Sequence, residues 1–144
     1  MATTWPAPLV GGAPTGAQLS TRVTARAHIE NWILALNSEE PVPALLLRPL
    51  DRAPLGLVLY CHAHGIRFES GKDELLLGRP ALQKPAYGEV LTGLGFAVLA
   101  IDHWCFGDRN FGEAKSERAM VKRLLWEGKT LWGYRVHDTL AALA

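Results

Sequence analysis

At 144 residues, 49% hydrophobic and 20% charged, the chain has the length and composition of one globular domain with a core. Its 15 basic and 14 acidic residues are interspersed and leave a net charge of +1, which gives no field for a phosphate backbone or an anionic lipid surface and so argues against nucleic acid and membrane as partners. Cys61 and Cys105 lack CxxC spacing and a framework of further cysteines, against a disulfide scaffold or a zinc ribbon.

Residues 1–20 contain Pro6, Pro8 and Pro14 with Gly11, Gly12 and Gly16, and are expected as a flexible arm ahead of a domain over 21–144. That start has neither the basic nor the apolar part of a secretory leader, and no run is long enough to span a membrane, so a soluble cytoplasmic protein is expected. Alternation over Arg22 to Leu36 predicts a strand, Asn37-Ser38-Glu39-Glu40 a turn, and Val42 to Leu47 a second strand. Pro43 cannot donate a ladder bond, which places this antiparallel hairpin toward a sheet edge.

Leu55 to Tyr60 is a short, continuously apolar run that ends in Cys61-His62-Ala63-His64-Gly65, the pattern of a central strand delivering polar groups to a site. The segment 66–84 is too long for a mere connector. Pro85, with Tyr87, Val90, Leu91 and Leu94 at helical spacing and Gly95 as cap, predicts a short helix whose Gly88 and Gly93 imply close packing. Phe96 to Ile101 is a second apolar strand, completing a parallel βαβ unit. It ends in Asp102-His103-Trp104-Cys105-Phe106-Gly107-Asp108-Arg109, a second polar and aromatic cluster. Ser116 caps a helix with Met120, Val121, Leu124 and Leu125 on one face, closing at Gly128. Thr130 caps another, with an inward stripe of Trp132, Val136, Leu140 and Leu143 and no stop signal before Ala144.

This order resembles the amino-terminal half of the α/β-hydrolase superfamily, in particular its dienelactone hydrolase and acetyl esterase branch. The residues that carry the likeness are Glu40-Pro41-Val42-Pro43, Arg48-Pro49, His62-Ala63-His64-Gly65, Leu94-Gly95-Phe96 and Ile101 to Arg109. The resemblance implies an incomplete α/β-hydrolase sheet: an antiparallel edge hairpin, then a parallel βαβ unit, with helices packing on the sheet. It also implies a carboxylic ester or lactone as small-molecule substrate, an acyl-enzyme route without cofactor, and an oxyanion hole drawn from the main-chain amides at Gly65 and Ile66. His64, Arg67, Trp104 and Phe106 are expected to contact substrate, and His62, Asp102, Gly107 and Arg109 to fix the loops, with Asp102 and Arg109 as a charge pair. The family's G-x-S-x-G or G-x-C-x-G elbow is absent: Ser20, Ser38, Ser70 and Ser116 lie in no such frame. Nucleophile, acid and base are therefore expected beyond Ala144.

Two rivals stand beside this reading. His62 and His64 at x, x+2 share a side of an extended chain and would be a metal pair if Asp102 or His103 completed the set, although no metal is expected. The chain would alternatively be a non-catalytic half-domain that pairs its sheet edge with a second chain. Cys105, two residues before Gly107, mimics an elbow loosely, but His103 stands where the elbow has glycine and the sequence after it reads as loop.

Overall fold

The computed structural model describes residues 13–63, 65, 67–112 and 116–144. His64, Ile66 and the first 12 residues of the expected arm lie outside the described residues. Five strands form one sheet in the order β1-β2-β3-β5-β4: β1 Thr15–Val23, β2 His28–Ala35, β3 Val42–Arg48, β4 Leu57–Tyr60 and β5 Ala97–Ile101. The first three make an antiparallel meander, β3 runs antiparallel to β5, and β4 runs parallel to β5. The arm expected through residue 20 is thus corrected from Thr15 on, because the stretch pairs with β2 over its whole length. The single strand expected over 22–36 is two, folded at Thr24, whose hydroxyl accepts from the main chain of Ala27.

Pro43 does not push β3 outward; β3 is the middle strand. The Pro43 carbonyl accepts from the Asp102 N–H on the β5 side, where the ladder with β5 ends, so the missing N–H falls where no ladder bond is due. Conversely β4, expected at the centre, is the last strand among the described residues. Its apolar continuity reports two covered faces rather than two paired edges: Val58 and Tyr60 turn to one core cluster, Leu59 to the other.

Helices lie on both faces. α1 Glu74–Leu77 and α2 Tyr87–Gly93 pack with Leu45, Leu47, Val98 and Ala100, and the end of α4 Leu131–Ala141 lies against Ala44, Leu99 and Ile101. α2 connects the parallel strands β4 and β5, and Gly95 at φ +98° follows its end. α3 Glu117–Trp126 starts on Ser116, whose Oγ accepts from Ala119 N, and α4 on Thr130, whose Oγ1 accepts from Gly133 N. α4 carries the clearest departure from its pattern. Trp132, Leu140 and Leu143 are 66%, 63% and 57% exposed, whereas Leu131, Tyr134, Arg135 and Asp138 are buried. The inward face was invisible to apolar periodicity because half of it is polar and paired. No helix among the described residues is long and apolar enough to cross a membrane.

Candidate active site

Two loops at the carboxyl ends of the parallel strands meet through Asp102, the first residue after β5. Its fully buried carboxylate accepts from the main chain of Lys72 at 2.7 Å, from Lys72 Nζ at 3.0 Å and from Asp108 N at 3.0 Å. Gly71 and Gly107, at φ +46° and +53°, wrap it, and a Cβ on either would run into the carboxylate. Burial works against the Lys72 charge, but Asp102 and then Asp108, which accepts from Nζ at 2.6 Å, outweigh it and hold the ammonium above its ordinary value.

The charge pair expected between Asp102 and Arg109 does not form. Lys72 and two main-chain amides already fill the carboxylate, so Arg109 meets Asp102 only through its carbonyl, at 2.9 Å from Nη1. The guanidinium instead binds Asp138 of α4 and Glu40 of the β2–β3 turn, each at 2.8 Å, and lies over the Trp104 ring at 4.3 Å. It ties the second loop to α4 and the sheet.

His62 follows β4 and His103 follows β5. The main chain of His103 donates to His62 Nε2 at 3.3 Å, so the ring proton sits on Nδ1, 3.5 Å from the Ala63 carbonyl. Burial pushes both imidazoles down, His103 to about 3, and keeps them neutral near pH 7. With Nε2 accepting and Nδ1 protonated, His62 has no lone pair left for a metal, and among the described residues no three histidine, cysteine or acidic side chains converge on one point.

A cavity of about 410 Å³ opens beside these rings, lined by Cys61, His62, His103, Phe106, Trp132, Arg135, Val136 and Thr139. Phe106 stands in its wall, its ring centroid 4.8 Å from that of His62. Trp104 does not: it is buried edge-on to Tyr134 at 5.2 Å, in a cluster with Cys105, Met120, Leu124 and Leu131. Trp132, expected to face the core, is instead a second aromatic in the cavity lining. Arg135 also went unmarked; its guanidinium donates to the Trp104 carbonyl at 2.9 Å and to Glu117 at 2.8 Å. A charged residue interrupting an apolar stripe was the available signal.

Arg67, expected on substrate, is exposed and bonded to Glu69 at 3.2 Å. Gly65 is exposed, and its carbonyl accepts from Arg67 N at 2.5 Å and from Arg79 Nη2 at 3.3 Å. The expected contributions of His64 and Ile66 fall outside the described residues. Cys105 has φ +72°, a strained left-handed conformation of the kind nucleophile elbows use. Yet its thiol is buried in the apolar cluster, burial pushes it up, and extended Phe106 follows instead of a helix. It is a turn residue, not a poised thiolate.

No protein-family model matches the sequence. The chain is 43% identical over 141 residues to a Bacillus subtilis protein named putative hydrolase YtaP, which covers 94% of this chain and 46% of that protein. Among solved structures it resembles a putative acetyl xylan esterase from Bacteroides fragilis, with a TM-score of 0.72 at 16% identity, over 94% of this chain and 38% of that one. It also resembles a cold-adapted esterase from an Arctic intertidal metagenomic library, with a TM-score of 0.53 at 17% identity, over 85% of this chain and 46% of that one. The chain therefore shares the mixed α/β fold of these esterases and spans less than half the length of each relative.

Proposed function

We propose that this chain is the amino-terminal part of an ester hydrolase of the dienelactone hydrolase and acetyl esterase branch, and that it carries the oxyanion-hole side of the active site. The observation that carries the reading is the apolar cavity between the loops after β4 and β5, lined by Cys61 and His62 from the one and His103 and Phe106 from the other, with Trp132 of α4. Both loops lie at the carboxyl ends of parallel strands, where α/β sheets bind ligands. The named hydrolase and the two esterases agree with that chemistry.

In this reading a serine or cysteine outside residues 1–144 attacks the ester carbonyl. The oxygen that becomes negative is met by the main-chain amides of Gly65 and Ile66, donors of the kind that stabilise charge developing in the transition state. Neutral His62 and His103 and the aromatic walls suit an uncharged acyl or lactone portion. In this reading the catalytic histidine lies outside residues 1–144, and His103, pushed down to about 3, is a poor general base at neutral pH. The outer edge of β4, unpaired among the described residues, and the exposed side chains of Trp132 and Leu140 on α4 and of Leu143 just past its end are apolar surfaces of the kind that further strands and helices cover.

Hydrolysis of p-nitrophenyl acetate tests the proposal. The natural full-length product is expected to turn over ester insensitively to chelator, and residues 1–144 alone are expected to be inactive. Turnover by residues 1–144 that chelator abolishes would move the chemistry to a metal and overturn the proposal.

A further inference from the structure

Flat rings dominate the cavity between the two site loops. Among the described residues that line it, Phe106, Trp132 and the imidazoles of His62 and His103 present rings, against one aliphatic side chain, Val136. Phe106 is 1% exposed and held in place by other rings, its centroid 5.0 Å from that of Phe68 and 4.8 Å from that of His62. Trp132, in the first turn of α4, is 66% exposed, so a ligand can reach its ring. Arg135 joins the two: its Cζ lies 5.1 Å from the Phe106 centroid and 5.4 Å from the Trp132 centroid. A planar, weakly hydrated guanidinium packs on ring faces in this way.

The charge of Arg135 is already answered, by Glu117 at 2.8 Å, and its Nη2 donates to the Trp104 carbonyl at 2.9 Å. The Thr139 hydroxyl is committed as well, to the Arg135 carbonyl at 2.7 Å. The two imidazoles are neutral near pH 7. A carboxylate entering here would lose its hydration and find the nearest cation neutralised, whereas an uncharged ring loses little and gains ring contacts. The size agrees with this: about 150 Å³ suffices for benzene, so a cavity of about 410 Å³ takes one substituted ring together with the ester group attached to it. We infer that the cavity receives an uncharged aromatic ring of the ester, with Trp132 and Phe106 as the specificity-determining residues that contact it. This deepens, and rests on, the ester-hydrolase reading above. The acyl and the alcohol portion of an aryl ester offer the same chemistry, and matched substrates separate them.

The test uses the natural full-length protein with two substrate pairs: vinyl benzoate against vinyl cyclohexanecarboxylate, and phenyl acetate against cyclohexyl acetate. Comparing each ratio between wild type and Trp132→Ala cancels the intrinsic reactivity of the esters. In the variant kcat/KM is expected to fall about threefold to tenfold more for the aromatic member of one pair than for its cyclohexyl partner, the benzoate pair if the ring is acyl and the phenyl pair if it is the alcohol. Losses equal within about twofold in both pairs would overturn the inference. Benzamide carries the ring without an ester and reads the cavity independently of turnover. Saturation-transfer NMR is expected to show it binding wild type at least about fivefold more tightly than cyclohexanecarboxamide or benzoate, and Val136→Phe, whose added ring fills the cavity, to abolish that binding. Benzamide bound no more tightly than the other two, or undiminished in folded Val136→Phe, would likewise overturn it. Absence of ester turnover in the wild-type protein would instead overturn the functional reading, and benzamide would still decide whether the cavity takes a ring.

Discussion

The His62 and His103 rings lie tilted against each other at 49° with centroids 4.7 Å apart, and the main-chain N–H of His103 donates to Nε2 of His62. Both rings are held below their ordinary value of 6.5, chiefly by burial, and His103 also by His62 and by the cations Arg135 and Arg109. Below pH 6.5 the unfolded chain takes up protons that the folded chain refuses. The stability from these neutral rings is therefore complete above that pH and is lost as pH falls, for His103 toward about 3. For His103 the expected slope approaches about 1.4 kcal/mol per pH unit, and His62 adds to it in the same direction. Urea denaturation of wild type and His103→Gln between about pH 6 and about pH 4 checks it: the variant should show the shallower pH dependence, and an equal slope would contradict the assignment.

The cradle around Asp102 predicts a contrast among glycines. Gly107→Ala places a Cβ against the Asp102 carboxylate at a positive φ and should cost about 2–4 kcal/mol, as should Gly71→Ala. Gly112, at φ +76° with nothing within 4 Å of a Cβ, should cost only the backbone penalty of about 1 kcal/mol. Denaturation midpoints compare the three.

Within α2 the two glycines should differ in sign. A Cβ on Gly88 would lie 2.7 Å from both Leu47 Cδ2 and the Leu75 carbonyl, so Gly88→Ala should destabilise by about 1–3 kcal/mol. Gly93 has nothing within 4 Å, and Gly93→Ala should stabilise by up to about 1 kcal/mol through helix propensity. Thermal unfolding of the two variants reads the difference.

Much of this was legible in the sequence, and the misses have physical causes. β5 and α2 were readable because a continuous apolar run and a glycine cap are local signals. The close packing expected of Gly88 is present, whereas Gly93 meets nothing. The rank of β4 in the sheet was not readable, since apolar side chains record covered faces and not paired edges. The inward face of α4 was misassigned because Asp138 and Arg135 face in to meet Arg109 and the Trp104 carbonyl, partners distant in sequence. Lys72 and Glu74 looked like loop polarity for the same reason: each is buried only by the fold that brings Asp102 or Ala63 to it.

The two cysteines should react unequally. Cys61 is exposed at the end of β4, whereas the Cys105 thiol is buried among Trp104, Met120 and Leu124. Iodoacetamide should label Cys61 alone in the folded chain of residues 1–144, and Cys105 only after denaturation. Mass spectrometry of the labelled peptides checks this.

The central claim is that these residues form the oxyanion-hole side of an acyl-transfer site whose nucleophile lies outside them. The most direct measurement is the site of covalent capture in the natural full-length protein by a p-nitrophenyl phosphonate ester, located by peptide mass spectrometry. An adduct is expected on a serine or cysteine outside residues 1–144, at the centre of a G-x-[SC]-x-G frame. An adduct on Cys105 would contradict it, as would ester turnover that leaves the protein unlabelled and is lost on chelation.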